Sequence, residues 1–407
     1  MSTTNKSPAP CWKEQHQENK GRRRRELLSP STAARADVMA MECRNRLMES
    51  VRKIAASCNT DTQKLGLLLS GGVDSSAILQ AAAVSANVRF AAAVTVVIVD
   101  PDNPNNNSRP PEDELYATEA ARLYNESLSH TMKHSIVRLS PASLIQKYSR
   151  PTIQTLALWD FMETRNSLII SAALHEASKL GLTDVIVGDN ADELFGGSYD
   201  IYFHEKYVND AEGWKEKRDG MADLPFVTEK LAVKYNIKIH QPFTDQEVFV
   251  QWALRETTRN DWISKCSIQS QFGGPYEMQN CGKIVLREAF CTLASWRRMD
   301  WIFRGSGAEE GDILVGYFKT VLSDDEFRSK QTEYLQKGIK LETKEHLHNI
   351  EIFQSIFGGL VHPIKQRYPI GDPRGCVSCC FEIDEPFCHL CDAYPAQHPN
   401  HPTLGTR

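Results

Sequence analysis

A short apolar run, Leu65-Gly66-Leu67-Leu68-Leu69, ends in Ser70-Gly71-Gly72 and passes at once into a helical pattern over residues 74–83. A buried strand that turns through two glycines into a helix constrains the fold more than any other feature of the chain. Glycine lets backbone N–H groups approach a ligand closely. The helix N-terminus adds uncapped donors and the positive end of its dipole. The string Ser70-Gly71-Gly72-Val73-Asp74-Ser75-Ser76 therefore predicts a site for a pyrophosphate-sized anion, with hydroxyl donors from Ser70, Ser75 and Ser76. An ionised Asp74 would repel phosphate unless a cation lay between them, which assigns it to Mg²⁺. The loop has no lysine, so it is not the Gly-x-x-x-x-Gly-Lys-Ser/Thr loop of enzymes that cleave at the γ-phosphate, nor is it Gly-x-Gly-x-x-Gly.

The pattern around this loop alternates strand and helix, which predicts a parallel sheet with helices on both faces. Residues 90–99 read as a strand and 112–124 as a helix. Residues 135–139 read as a third strand, 156–180 as one long helical stretch, and 184–188 as a fourth strand. From there to residue 357 the chain reads as mostly helical. Residues 103–111 are a Pro/Asn-rich surface loop. Residues 1–35 are polar and basic and read as a disordered tail. Its run at residues 20–25 is a solvated tail, a nuclear signal or a nucleic-acid arm. No segment has the length and apolarity of a membrane span or a signal-peptide core. With a net charge of −5 there is no overall drive toward nucleic acid or anionic membrane. A cytoplasmic protein is expected, or a nuclear one if the basic run is a signal.

A second polar turn follows the fourth strand: Gly188-Asp189-Asn190-Ala191-Asp192-Glu193-Leu194-Phe195-Gly196-Gly197. Loops at adjacent strand ends of a parallel sheet meet above a topological switch point. Asp192 is then expected to face Asp74 across a bound pyrophosphate, and two carboxylates can hold the Mg²⁺ that neutralises it. A helix N-terminus alone would account for Asp192 and Glu193, but not for Phe195-Gly196-Gly197.

Both strings carry a family resemblance. The first resembles the loop of the PP-loop (N-type) ATP pyrophosphatases, whose fold is of the adenine nucleotide α-hydrolase type. The second resembles the Gly-(Asp/Glu)-Gly-(Ala/Ser)-Asp-Glu-Leu-Phe-Gly-Gly signature of asparagine synthetases and β-lactam synthetases, with Asn190 in place of a glycine. Gln241-Pro242-Phe243-Thr244-Asp245 is similar to the family's Pro-Phe-Leu-Asp. Lys283-Ile284-Val285-Leu286-Arg287 is similar to its Lys-x-x-Leu-Arg, Gly305-Ser306-Gly307 to its glycine turn, and residues 343–353 to its last helix.

The resemblance implies an AMP- and pyrophosphate-forming carbon–nitrogen ligase over residues 36–365. Its cofactors are ATP and Mg²⁺, and its substrates are a carboxylate (aspartate by resemblance) and ammonia or another amine. Ser70, Gly71, Gly72, Val73, Asp74, Ser75, Ser76, Gly188 and Asp189 are the expected ATP and pyrophosphate contacts. Asp74, Asp192, Lys283 and Arg298 are the expected catalytic residues. Three features depart from the family. No glutamine-hydrolysing domain is expected ahead of the loop, and ammonia is then expected from solution or from a separate glutaminase. Lys238 stands where the family has a glutamate, and Met299, after Arg297-Arg298, where it has a lysine.

Five of the eleven cysteines crowd into the last stretch of the chain. Cys376, Cys379, Cys388 and Cys391 form Cys-x₂-Cys-x₈-Cys-x₂-Cys, the ligand set of a structural zinc knuckle within residues 366–407. An Fe–S cluster or free thiols are the alternatives, and Cys380 is the spare. The knuckle resembles the zinc ribbons of tRNA-thiolating PP-loop enzymes, so an RNA-modifying enzyme with tRNA as partner is the second expectation. A catalytically degenerate ATP-binding protein, suggested by Lys238 and Met299, is the third.

Overall fold

The structure is a computed structural model that describes residues 30–58, 64–85, 88–99, 110–197, 226–269, 276–291, 309–383, 387–391, 393 and 395–399. The basic run at 20–25, Cys11, Arg297, Arg298, Met299 and the glycine turn at 305–307 lie outside these residues.

Five parallel strands form the central sheet: β1 (Leu65–Leu68), β2 (Ala92–Ile98), β3 (Lys133–Leu139), β4 (Asp184–Ile186) and β5 (Lys238–His240). Their order is β3-β2-β1-β4-β5. The chain winds outward from β1 in one direction and then from β4 in the other. The strand order therefore reverses between β1 and β4, and the crevice at their C-terminal ends is the switch point where ligands bind in such sheets.

Period-two alternation distributes the strand side chains between two cores. Leu65, Leu67 and Leu69 of the β1 segment, with Ala93 and Ile186, pack under the helices Pro30–Ser57, Val73–Val84 and Glu112–Leu128. Ala92, Val94, Val96 and Ile98, with Val185 and Val187, pack under Pro141–Leu156, Phe161–Lys179 and Glu309–Val321. Gly66 is a packing requirement, since a Cβ there would stand 2.3 Å from Leu182 Cδ1. Among the described residues no helix is long and apolar enough to cross a membrane.

Three expectations are corrected. The stretch 156–180 is two helices: Ala157 adopts a left-handed conformation with φ of 54° and ends the first. Asp160 starts the second by accepting the Glu163 N–H. The segment after β5 is not simply helical, because an antiparallel hairpin, β6 (Ser264–Gln269) with β7 (Tyr276–Cys281), interrupts it. The first helix begins at Pro30, inside the stretch expected to be disordered.

A third core lies beyond the sheet. Trp159 packs edge-on against Phe353 and Phe381, at ring-centroid distances of 4.6 and 5.5 Å. This joins the helix Lys344–Phe357 to the cysteine-rich segment. Arg165 pairs with the buried Glu345 beside it.

His346 is wholly buried in the same helix, and its Nδ1 accepts the Glu342 N–H at 3.3 Å. Burial pushes its imidazole down to about 4, with Glu342 pulling the other way. The folded protein thus excludes a proton that the unfolded chain takes up near pH 6.5. Stability from this group is complete above about 6.5 and falls as pH drops toward about 4, by about 3 kcal/mol in all. Thermal melts across this window are expected to show that acid slope in the wild type and a flatter one in His346→Phe.

Candidate active site

The phosphate loop leaves β1 and enters the helix Val73–Val84 with Gly72 as its N-cap, and no side chain caps the first turn. Its N–H donors therefore face outward for an anion. Gly71 has φ of +76°, and a Cβ there would come within 2.6 Å of the Asp113 carbonyl. Ser75 Oγ accepts the Ser70 N–H at 3.2 Å and lies 3.1 Å from Ser70 Oγ, while Ser70 Oγ accepts the Gly72 N–H at 3.2 Å. These two hydroxyls shape the loop. The Ser76 hydroxyl is fully buried without a partner among the described residues, and Val73 is packed into the core.

The second loop leaves β4 alongside. Asn190 adopts φ of +75°, the conformation that the family's glycine would take. Its Nδ2 donates to the Phe243 carbonyl at 2.9 Å, tying the loop to the Pro242-Phe243 segment. Gly188 is needed because a Cβ would meet Asp74 Cβ at 2.9 Å. The two loops thus touch through Asp74.

Asp74 and Asp192 do converge, and Lys283 stands between them. Its Nζ lies 2.6 Å from Asp74 Oδ2 and 2.8 Å from Asp192 Oδ2. Burial works against the Lys283 charge, but Asp192 and Asp74 outweigh it and hold the ammonium above its ordinary value. Burial raises the Asp74 carboxyl; Lys283 opposes that shift and Asp192 adds to it.

The two glycines after Phe195 are what let Lys283 in. A Cβ on Gly197 would overlap Asp192 Oδ1 at 1.4 Å and crowd Lys283 Cε at 2.7 Å. A Cβ on Gly282 would overlap the Gly196 carbonyl at 1.6 Å. The Lys283 N–H donates to the Phe195 carbonyl at 2.8 Å, and its φ is +58°. The Phe-Gly-Gly string is therefore the landing surface of the segment that delivers the lysine.

Asp74 Oδ1 is buried and has no hydrogen-bond partner among the described residues. With Asp192 beside it, this oxygen makes a hard, anionic donor set that fits Mg²⁺.

Two further groups line the crevice that the motifs did not single out. Gln241 Nε2 donates to Asp189 Oδ2 at 2.8 Å. Burial raises the carboxyls of both Asp189 and Glu163, and Asp189 adds to the shift at Glu163. The position of Gln241, directly before Pro242-Phe243, was the available signal. Glu163 had only its place three residues after Asp160. Lys238 is exposed and opens β5, at the end of the strand away from this crevice. Arg298 lies outside the described residues.

The four cysteines also converge. Cys376 and Cys391 sulfurs are 3.7 Å apart, Cys379 and Cys388 sulfurs 3.8 Å, and all four are buried. Tetrahedral bonds of about 2.3 Å place neighbouring sulfurs about 3.8 Å apart, so the set fits one ion held at its centre.

The asparagine synthase family model matches residues 42–261. No curated protein sequence matches the chain. Among solved structures, the U34-tRNA thiolase NcsA from Methanococcus maripaludis with its [4Fe-4S] cluster is similar at 13% identity and a TM-score of 0.27. That alignment covers 73% of this chain and 81% of the other. The NMN synthetase from Francisella tularensis is similar at 15% identity and a TM-score of 0.25, covering 56% of this chain and 99% of the other.

Proposed function

Because this chain belongs to the asparagine synthase family, and so to the ATP-using enzymes of the PP-loop type, we propose that it is an AMP-forming ligase joining a carboxylate to an amine. The observation that carries this reading is the meeting of an uncapped helix N-terminus with Asp74, Asp192 and Lys283 at the β1/β4 switch point. A carboxylate oxygen of the acceptor, aspartate by family resemblance, attacks the α-phosphorus of ATP. The bond from the α-phosphorus to its bridging oxygen breaks, and pyrophosphate leaves with that electron pair. The amine nitrogen then attacks the acyl carbon, AMP departs, and the nitrogen loses a proton.

The first-turn N–H groups and the glycines of the loop hold the leaving pyrophosphate. Lys283 supplies fixed positive charge beside it, the kind of preorganised stabilisation that dominates such steps. Asp74 and Asp192 would hold Mg²⁺, which neutralises phosphate charge when bound. Asp189, held by Gln241, and Glu163 give the crevice an acidic wall suited to the amino group of an amino-acid acceptor. In the four-cysteine cluster the sulfur spacing supports a single zinc ion. A four-iron cluster carries its thiolates on separate irons and holds them farther apart.

The test is ATP–pyrophosphate exchange with a panel of amino acids, followed by AMP release with ammonia as nucleophile. Magnesium-dependent exchange stimulated by one carboxylate is expected. ATP binding with no exchange from any carboxylate would overturn the proposal in favour of a degenerate binder. Exchange stimulated only by tRNA would overturn it in favour of RNA modification.

A further inference from the structure

A second set of metal-binding side chains lies at the opposite end of β4 from the phosphate loop. We propose that Cys58, Asp184 and His240 form a zinc site, separate from the four-cysteine cluster. Cys58 directly follows the helix Pro30–Ser57, Asp184 opens β4 and His240 closes β5. Each donor comes from a different element, and all three donor atoms lie within 4.8 Å of one another.

The geometry distinguishes a metal site from a nucleophile triad. In a triad the thiol and the carboxylate use different ring nitrogens of the histidine. Here both face the same one: His240 Nε2 is 2.8 Å from Asp184 Oδ1 and 3.9 Å from Cys58 Sγ. Cys58 also hydrogen-bonds the Asp184 carboxylate, so thiol, imidazole nitrogen and carboxylate converge on one point, as three ligands of a single ion do. Tetrahedral bonds of about 2.0 to 2.3 Å place such donor pairs about 3.4 to 3.6 Å apart. That lies between the two observed spacings, so small side-chain rotations complete the site.

The surrounding groups have the form of a ligand shell. Thr183 Oγ1 donates to the other carboxylate oxygen, Asp184 Oδ2, at 2.9 Å, and itself accepts the Lys64 N–H at 3.0 Å. Asp184 is thereby oriented with Oδ1 toward the histidine, as outer-shell partners orient metal ligands. Thiolate, imidazole and carboxylate together are zinc donors. One thiolate and one carboxylate cancel the charge of a divalent ion, which suits a place where Cys58 is 9% exposed and Asp184 2%. With three protein ligands the fourth is a water. The site would pin the end of the first helix to β4 and β5.

Zinc in the purified full-length chain is the measurement, together with the visible spectrum after cobalt substitution. Wild type is expected to carry one zinc ion per chain beyond the metal of the four-cysteine cluster. Cys58→Ala and His240→Gln are each expected to lose that ion, and its cobalt bands, while keeping the cluster metal. Wild type with no zinc beyond the cluster overturns the proposal without any variant. So does a wild-type zinc content in either variant. If Cys58→Ala fails to fold, His240→Gln, which keeps a polar side chain of similar volume, decides the ligand assignment. The readout does not involve catalysis, so it stands or falls apart from the ligase reading.

Discussion

Lys283→Met is expected to cut ATP–pyrophosphate exchange by about 10² to 10³-fold, the usual cost of removing one preorganised charge from a site where phosphate charge develops. The substitution does more than delete a cation. It leaves the Asp74 and Asp192 carboxylates facing each other with nothing between, in a place where burial already raises Asp74. The variant is therefore expected to melt at a lower temperature than wild type. Adding Asp74→Asn to it should recover part of that stability, because the repelling pair is gone, while exchange stays lost. Such a cycle separates the electrostatic role from the structural one. Lys283→Arg should not rescue exchange, since the space over Gly197 admits a slender ammonium stem and not a planar guanidinium. Exchange at the wild-type rate in Lys283→Met would remove the lysine from the chemistry.

Cys379→Ser, or removal of the metal by a chelator, is expected to unfold the third core and lower the melting temperature more than any single apolar truncation there. Structural zinc contributes about 10 to 16 kcal/mol of apparent binding free energy in small domains, and that energy is folding energy. Trp159 is the reporter, because its ring is held between Phe353 and Phe381 and its N–H group donates to the Leu390 carbonyl at 3.2 Å through the backbone. Its emission should shift to the red on metal loss, with Trp159→Phe as the control that removes the signal. An unchanged melting temperature in the stripped protein would mean the thiols hold the segment together without an ion.

Both loops of the candidate site were legible in the sequence because their requirements are local. Glycines mark close approaches at Gly71, Gly188 and Gly197, and Asp74 and Asp192 each sit in the first helical turn after a strand. The arrival of Lys283 was legible only through family resemblance, since its partner Asp74 is 209 residues away. The three-residue strand at Lys238–His240 is too short to leave a pattern. The β6–β7 hairpin escaped because its strands, Ser264–Gln269 and Tyr276–Cys281, are mostly polar and each alternates over only two apolar residues. The break at Ala157 has no residue signal at all, as alanine rarely takes a left-handed conformation. Asp160 followed by Glu163 was the capping pattern that marked the restart.

The separation of Asp74 from Lys283 also sets a clock. A ribosome adding about 5 to 20 residues per second needs about 10 to 40 s to travel from one to the other. During that interval β1, β2, β3 and β4 can already pair, while the glycine landing surface at Gly196 and Gly197 waits for a segment not yet made. The nascent chain thus carries a nearly finished sheet and an incomplete candidate site, whose lysine arrives only late in synthesis.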